Sequence, residues 1–245
     1  MLHFETDLEL VFKGMCTLNL EDPNCLPVAL RGELRDCNAI FAQSTYLGEI
    51  ERDERVARVI ERINDYCACN NIFAYHYTRA LRSDLTANGL VPRSGDEIRQ
   101  TFLCRFGSRF SVTQLREINA AWSSYHHGAM VQARDSRIFF NFTRKALGGA
   151  GSELLLKYFG GEQVYFRIRH IPGVAEVLSS IGEPLVVRCT LAPAELHTSI
   201  PKPWGQIVIS SYHRTVNPEA GQFDQDGSQS SPVPPERIEF LSVDH

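Results

Sequence analysis

The chain has 245 residues, with 25 basic and 29 acidic side chains and a formal net charge of −4. Its hydrophobic and charged fractions, 43% and 22%, are those of a globular protein, which excludes a mostly disordered chain, a collagen-like chain and a coiled coil. The excess of acidic side chains also excludes a protein-wide positive surface for non-specific nucleic-acid binding, but it does not exclude a local basic patch. The length predicts one domain with an N-terminal extension, or two small domains.

The N-terminal sequence and the cysteines bear on the compartment. MLHFETDLEL is acidic and lacks the basic and apolar regions of a Sec-type signal peptide. The seven cysteines are scattered without a CxxC pair, which favours reduced thiols over a disulfide framework. No apolar run approaches the roughly 20 residues that a membrane helix needs. We therefore expect a cytoplasmic protein without a membrane span, with delivery into a target cell without a Sec signal left open.

The first ninety residues contain three readable elements. Residues 1–50 carry only weak patterns and are interpreted as an N-terminal cap. Apolar side chains at helical spacing predict an amphipathic helix over residues 52–67. The aromatic and β-branched run at residues 72–78 predicts a strand. A second helix is expected over about 80–88, and Gly89 ends it.

The rest of the chain mixes helices and strands without a regular βαβ order. Helices are predicted over residues 113–121, 153–159 and 172–180, the second with Ser152 as its N-cap. Strands are predicted over residues 137–143, 163–169, 184–191, 206–211 and 237–243, and residues 217–235 are predicted to form a loop. This mixture favours the α+β class over a doubly wound sheet.

The common phosphate-binding and metal-binding motifs are incomplete in this sequence. The Gly148–Ser152 loop lies between a strand and a helix, but it lacks the Lys-Ser/Thr end of a P-loop. His126 and His127 are adjacent, and neighbours on a helix point about 100° apart, so they rarely share one metal ion with Cys104. Cys67 and Cys69 lack two further ligands at zinc spacing. We therefore expect no metal site.

One polar pair lies on an apolar strand. His76 and Thr78 are two residues apart, so they share one face of the strand, while Tyr75 and Tyr77 lie on the other. Polar side chains on a core strand lose hydration, and a binding site would explain that loss. A histidine satisfied by a hydrogen bond in the core is the alternative.

The run Tyr-His-Tyr-Thr, followed by a short helix and Asn88-Gly89-Leu90, resembles the first motif of the ADP-ribosyltransferase superfamily, in its histidine-bearing branch. That branch includes poly-ADP-ribose-polymerase-like enzymes, diphtheria-like toxins and RNA 2′-phosphotransferases. The resemblance implies split antiparallel β-sheets with flanking helices and NAD as a substrate. It also implies that His76 and Thr78 line the dinucleotide, with Tyr77 beside them.

Two further stretches resemble the second motif of this superfamily. Residues 139–143 form an aromatic run that ends in a hydroxyl residue, which carries Phe140 and Thr143 over as cofactor-binding candidates. A helical segment with Tyr158 follows, and the family places an aromatic ring against nicotinamide there. A core aromatic residue is the alternative for Tyr158.

The third family motif is a glutamate that stabilises the positive charge developing on the ribose. Pro234-Pro235-Glu236 resembles the turn that leads into the last strand of these domains, and the glutamate usually precedes that turn. Glu219 is one catalytic candidate, and Glu162 in Tyr-Phe-Gly-Gly-Glu is the other. If Gln222 occupies the position instead, the carboxylate is missing. A solvated loop carboxylate is the alternative for each glutamate.

The resemblance covers roughly residues 72–243. It implies an N-terminal helical cap or extension over 1–70 and an ADP-ribosyltransferase-like domain over 71–245, with an insertion at about 93–135. Six arginines make that insertion locally basic: Arg93, Arg99, Arg105, Arg109, Arg116 and Arg134.

The leading functional hypothesis is a mono-ADP-ribosyltransferase that acts on a macromolecule, either protein or nucleic acid, as a bacterial toxin, effector or phage-defence protein. An NAD glycohydrolase or an RNA 2′-phosphotransferase on the same scaffold is the second hypothesis. A catalytically inactive binding module is the third, and the Gln222 alternative favours it.

Overall fold

The structure is a computed structural model that describes residues 16–125 and 134–243. The helices are α1 Val28–Asp36, α2 Asn38–Phe41, α3 Leu47–Ile50, α4 Glu54–Ala68, α5 Arg82–Asn88, α6 Gly95–Phe106, α7 Val112–Tyr125, α8 Ala150–Lys157, α9 Gly161–Ile168, α10 Val174–Ser180 and α11 Trp204–Val216. The strands are β1 Thr17–Leu18, β2 Asn71–Ala80, β3 Ile138–Asn141, β4 Glu183–Leu191, β5 His197–Thr198, β6 Asp226–Gln229 and β7 Ile238–Leu241.

The described strands form one sheet in the order β5-β6-β3-β2-β4-β7, and β1 pairs with β2 in parallel. β4 and β7 are antiparallel, with Val186 opposite Leu241 and Cys189 opposite Ile238. The chain is therefore a mixed α and β protein with helices flanking a sheet, in agreement with the predicted α+β class. The expected split into two sheets differs from this arrangement, because β3 pairs with both β2 and β6 and so joins the strands into one path.

Contacts divide the chain into two units that interleave along the sequence. Unit 1 contains residues up to 74 together with 141–143 and 190–227. Unit 2 contains residues 75–140, 144–189 and 228 onwards. The change of unit within β2 lies four residues after the predicted domain boundary at 70/71. Unit 1 also includes residues 141–143 and 190–227, which this boundary would assign to the second domain.

The core of unit 1 is built on the packing of α4 against α11. Asp53 begins α4 by accepting a hydrogen bond from the Arg55 backbone N–H at 2.9 Å. The apolar face of α4 is buried, as the spacing in residues 52–67 predicts. The two helices approach so closely that a Cβ on Gly205 would lie 2.3 Å from the Ile60 carbonyl oxygen. Only glycine fits this contact without a shift of the backbone.

The core of unit 2 joins α9 to α6, α7 and α10. Ile118 and Trp122 of α7 are buried there, and the Trp122 indole donates to the Val164 carbonyl at 3.2 Å. A second cluster is centred on Tyr75 and Tyr77 of β2 and Val186 of β4. The predicted insertion at 93–135 thus contributes α6 and α7 to a core.

Four local predictions are wrong. Residues 163–169 and 206–211 were expected to be strands, but they belong to α9 and α11. In α11 every apolar residue from Trp204 to Ile209 is buried, so the sequence shows no helical periodicity there that would distinguish this helix from a buried strand. The predicted loop at 217–235 contains β6. The N-cap of α8 is Gly149, and Ser152 lies within that helix, where its hydroxyl donates to the Ala146 and Gly149 carbonyls.

Candidate functional site

The second half of β2 has two different faces. Tyr75 and Tyr77 are buried, whereas His76 and Thr78 are half-buried. Ala74, on the same face as His76, is fully buried. The face therefore opens between Ala74 and His76, and the two polar side chains lie where solvent reaches the strand. This alternation is the one that the sequence predicts.

His76 is held in one orientation by a backbone hydrogen bond. Its Nδ1 lies 2.9 Å from the Phe139 carbonyl oxygen. Because a carbonyl can only accept, Nδ1 carries the proton in the neutral ring, and Nε2 is left as an acceptor on the half-exposed face. Loss of hydration lowers the pKa of His76, and the bond to Phe139 opposes this change. The neutral ring is therefore the form favoured in the folded protein.

The aromatic residues of β3 lie next to His76 but differ in exposure. Phe140 is 2% exposed, and its ring meets the His76 ring edge-on at a centroid distance of 6.1 Å. Phe139 points to the other face and is 38% exposed. Phe140, the residue predicted to bind the cofactor, therefore packs against His76. Phe139 is the accessible aromatic ring of β3.

Two predicted tyrosines lie in hydrophobic clusters. The Tyr77 ring is buried with Tyr75 on the strand face opposite His76, so only its backbone can line a site there. Tyr158 follows α8 and is buried against Tyr165, with ring centroids 5.6 Å apart. Neither ring presents an open face for stacking. The position of Tyr158 agrees with its alternative interpretation as a core aromatic residue.

The turn that carries Glu162 is attached to the end of β2. The Gly160 N–H donates to the Arg79 carbonyl at 3.4 Å, and Phe159 pairs with Arg79 as a short parallel bridge. Gly160 and Gly161 have φ of +86° and +66°, a conformation that glycine adopts readily. Glu162 then lies in the first turn of α9 and forms an exposed ion pair with Arg134.

Arg79 fixes this region and was not identified from the sequence. Its guanidinium donates to three carbonyls: Ile181 at 2.9 Å, Gly182 at 3.1 Å and Leu156 at 3.4 Å. Partial burial lowers the pKa of Arg79 from its usual value, although the group stays a cation. An arginine directly after Tyr-His-Tyr-Thr on an apolar strand was the available signal. Arg79 connects the end of β2 to the last turn of α8 and to the residues that follow α10.

Three of the six arginines in the locally basic segment 93–135 pair with acidic side chains. Arg99 is buried and contacts Asp96 and Gln163, the residue after Glu162. Arg105 pairs with Asp84, and Arg134 pairs with Glu162. Half of the six arginines are thus engaged with acidic side chains of unit 2. The positive charge of this segment is therefore partly neutralised within unit 2.

The remaining predicted residues belong to unit 1. Thr143 is fully buried, and Glu219 is exposed in the turn after α11, where its N–H donates to Asn217 at 3.2 Å. Gln222 accepts a hydrogen bond from Arg214 at 2.9 Å. A carboxylate that the sequence analysis missed, Asp224, lies close to Asn141, whose side-chain amide donates to it at 3.4 Å.

A groove of about 410 Å³ lies in unit 1. It is lined by Glu33, Asp36, Cys37, Arg55, Arg58, Val59 and Arg62. Arg62 pairs with Glu33, and burial raises the pKa of the Cys37 thiol, so this cysteine is a poor nucleophile. None of the predicted site residues lines this groove.

Metal-ligand clusters and helices of membrane-spanning length are absent from the described parts of the chain. Across residues 16–125 and 134–243, no group of three His, Cys, Asp or Glu side chains is arranged to hold a metal ion. The same residues include no helix with the length and apolar character needed to cross a bilayer. His126 and His127, considered above as metal ligands with Cys104, lie outside the described residues.

Comparison with known proteins gives no relative. No family model, no curated protein and no solved structure matches the chain.

Proposed function

We propose that the chain is a mono-ADP-ribosyltransferase with NAD as its substrate and a macromolecule as acceptor. The observation that supports this proposal is the orientation of His76. Its Nδ1–H is bound to the Phe139 carbonyl, and Nε2 is available beside Thr78 on the half-exposed strand face. A ring nitrogen that accepts and a hydroxyl two residues later are suited to bind the hydroxyl groups of a ribose. The Tyr-His-Tyr-Thr resemblance assigns the same role to these residues.

Glu162 is the catalytic carboxylate in this proposal. Its turn is bonded to Arg79, one residue after Thr78, so the backbone holds it near the strand that carries the histidine. The ion pair with Arg134 is exposed, with side chains 44% and 58% accessible, and exposed pairs contribute little to stability. Glu162 can therefore leave Arg134 and stabilise the positive charge that develops at the ribose carbon as the bond to nicotinamide breaks. Among the described residues, the backbone hydrogen bond of Glu219 runs to Asn217 in its own turn and not to β2.

Incubation of the purified protein with adenylate-labelled NAD and cell lysate tests the proposal. We expect transfer of the label to a macromolecule, and separate protease and nuclease treatments identify its class. His76→Ala should lower turnover by about 100-fold or more, because a positioned polar contact to the reacting substrate is lost. Its melting temperature should stay within a few degrees of the wild type, since the side chain is only half-buried.

Two matched variants make the result specific. Glu162→Gln should abolish transfer, whereas Glu219→Gln, an equally conservative change at an exposed position, should leave it unchanged. Full transfer by His76→Ala would overturn the proposal. Loss of transfer only in Glu219→Gln would move the catalytic role to that residue. Release of free ADP-ribose without a labelled acceptor would indicate an NAD glycohydrolase.

A binding module without turnover is the second candidate function. The pairing of Glu162 with Arg134 supports it, because this carboxylate is then engaged by a cation. Gln222, which accepts a hydrogen bond from Arg214, is an amide and cannot replace the carboxylate. Calorimetric titration with NAD distinguishes the two functions. Binding of NAD by the wild type and not by His76→Ala, with no turnover in either, would favour the module.

A further inference from the structure

Two arginines of the predicted insertion contact the first turn of α9, and the two contacts differ in exposure. Arg99 of α6 is 7% exposed, and its guanidinium donates to the Gln163 side-chain oxygen at 3.0 Å. Arg134, in the turn before β3, forms an ion pair with Glu162, and these side chains are 58% and 44% accessible. The contact to Gln163 is therefore shielded from water, whereas the contact to Glu162 is open to it.

The buried contact holds the start of α9 against the start of α6. A Cβ on Gly95, the first residue of α6, would lie 2.5 Å from the Gln163 side-chain oxygen, so the two helix starts approach closely. Arg99 also pairs with Asp96 in the first turn of α6, which restricts its guanidinium. Because Gln163 is held in this way, the backbone of Glu162, the residue before it, has a fixed position.

The backbone that follows Arg134 is bound to the same end of α6. The Asp135 carboxylate accepts a hydrogen bond from the Gly95 N–H, and the Ser136 N–H donates to the Arg93 carbonyl at 3.2 Å. An exposed arginine side chain changes rotamer readily, because solvent replaces its contacts. The Arg134 guanidinium can therefore leave its carboxylate partner while these backbone bonds stay in place.

Arg134 and Glu162 are each other's counter-ion. Within residues 16–125 and 134–243, neither side chain takes part in a second ion pair. An exposed pair of this kind is weak, so another cation that is held close to Glu162 can compete with the guanidinium. The competing cation would restore the charge balance of the carboxylate.

The substrate of the proposed reaction brings such a charge. This step rests on the proposed function, in which Glu162 faces the reacting ribose carbon of NAD. NAD⁺ carries its positive charge on the nicotinamide ring, whose nitrogen is bonded to that carbon. The Arg134 guanidinium and the nicotinamide ring are therefore two cations that compete for one carboxylate.

We propose that Arg134 is an inhibitory counter-ion of Glu162, which the charged nicotinamide ring of NAD⁺ must displace. The buried Arg99 contact keeps the carboxylate in place while its counter-ion is exchanged. The exchange lowers the affinity for NAD⁺, because the ion pair has to be broken before the ring approaches Glu162. A ligand without the charged ring, such as ADP-ribose, leaves the pair intact, so its affinity does not depend on Arg134.

The test is calorimetric titration of the wild type and of Arg134→Gln with NAD⁺ and with ADP-ribose. Arg134 is exposed, so the variant should fold. We expect its Kd for NAD⁺ at about 50 mM salt to be about 2- to 5-fold lower than that of the wild type, as the strength of an exposed pair allows, with an unchanged Kd for ADP-ribose. The ratio of the two NAD⁺ affinities should approach 1 at about 500 mM salt, because salt screens the pair.

Two further variants make the result specific to the ion pair. Arg109→Gln removes another exposed arginine of the segment 93–135, one that forms no ion pair among the described residues, and it should bind NAD⁺ as the wild type does. In a Glu162→Gln background, Arg134→Gln should give no further gain in NAD⁺ affinity, because the charge for which the two cations compete is absent. These four proteins form a double-mutant cycle with an outside control.

Several outcomes would overturn the inference. Equal NAD⁺ affinity of Arg134→Gln and the wild type would show that the pair does not oppose binding. Weaker binding of both ligands by the variant would mean that Arg134 contacts the pyrophosphate, and equal tightening of both would mean that the arginine blocks the site by its size. In these three cases NAD⁺ binds, so the proposed function stands. Absence of NAD⁺ binding in all variants would overturn the proposed function and this inference together.

Discussion

Two histidines, one in each unit, differ in whether a ligand can reach their second ring nitrogen. His213 of α11, in unit 1, is fully buried, and its Nε2 donates to the Phe41 carbonyl at 3.0 Å and the Ser44 carbonyl at 2.7 Å. His76 of β2, in unit 2, is half-buried and donates from Nδ1 to Phe139. The second nitrogen of His213 is enclosed in the core, whereas that of His76 lies on an open strand face. A histidine among apolar residues therefore indicates a site only when a ligand can reach its second nitrogen.

The helix of His213 is fixed at both ends by buried polar groups. At its start, the Asn64 side chain accepts a hydrogen bond from the Gly205 N–H at 2.7 Å. Near its end, His213 holds the loop that follows α2, and the Asn217 side chain also donates to Ser44 at 3.0 Å. These groups serve the fold of unit 1. The comparison predicts that changes at them alter stability, whereas changes at His76 alter activity.

Replacement of His213 should give the largest effect on stability. His213→Ala removes the donor of the buried Phe41 carbonyl and leaves a cavity, which should lower the free energy of unfolding by about 3 kcal/mol. In a chain of this length, that loss corresponds to a fall of about 6–12 °C in melting temperature. Urea unfolding and thermal unfolding measure the two quantities.

His213→Gln is the control for this prediction. Its side-chain amide can donate to the same carbonyls, so it should recover part of the lost stability. A His213→Ala protein as stable as the wild type would show that the buried ring is dispensable. The contrast with His76 would then be lost.

A change at Arg79, in unit 2, should have the next largest effect on the free energy of unfolding. Arg79→Lys replaces a guanidinium that donates to three carbonyls by an ammonium group that cannot reach all of them. The loss of about two hydrogen bonds should lower the free energy of unfolding by about 2 kcal/mol. Urea unfolding measures the change.

Arg82→Lys is the matched control, three residues later in the chain. Arg82 forms an exposed ion pair with Glu183, and such pairs contribute about 0–1 kcal/mol. We expect this variant to unfold close to the wild type. Equal losses in the two variants would mean that the carbonyl contacts of Arg79 contribute no more than a surface charge.

The parts of the fold that the sequence predicts are those with one clear periodicity. α4 has a single apolar face, and β2 alternates between Tyr75 and Tyr77 on one side and His76 and Thr78 on the other. α9 and α11 were mistaken for strands because β-branched and aromatic residues dominate short segments there. Their helical state depends on packing, such as the Gly205 contact with α4, which no local pattern reveals.

The residues of the candidate site also divide into those that the sequence predicts and those that it does not. The face shared by His76 and Thr78 follows from strand geometry, so it could be predicted. The roles of Arg79 and Phe139 depend on carbonyls that are distant in sequence and on which strand face is covered. The resemblance named Phe140 and Tyr158, but both are buried, because a short motif does not determine which aromatic ring is exposed.

The smallest expected effect is the pH dependence that His76 contributes to stability, since one side chain and one proton are involved. Its pKa in the folded protein is below the ordinary value of about 6.5, chiefly because burial removes hydration from the charged ring. The unfolded chain therefore binds the proton more readily, and stability should be full above about pH 6.5 and fall as the pH decreases towards the folded pKa. His76→Gln has no titrating ring, so its melting temperature should fall less steeply than that of the wild type in this range. Parallel profiles for the two proteins would mean that the His76 ring is as well hydrated when folded as when unfolded. The ring would then lack the desolvated, pre-oriented state on which its role in substrate binding depends.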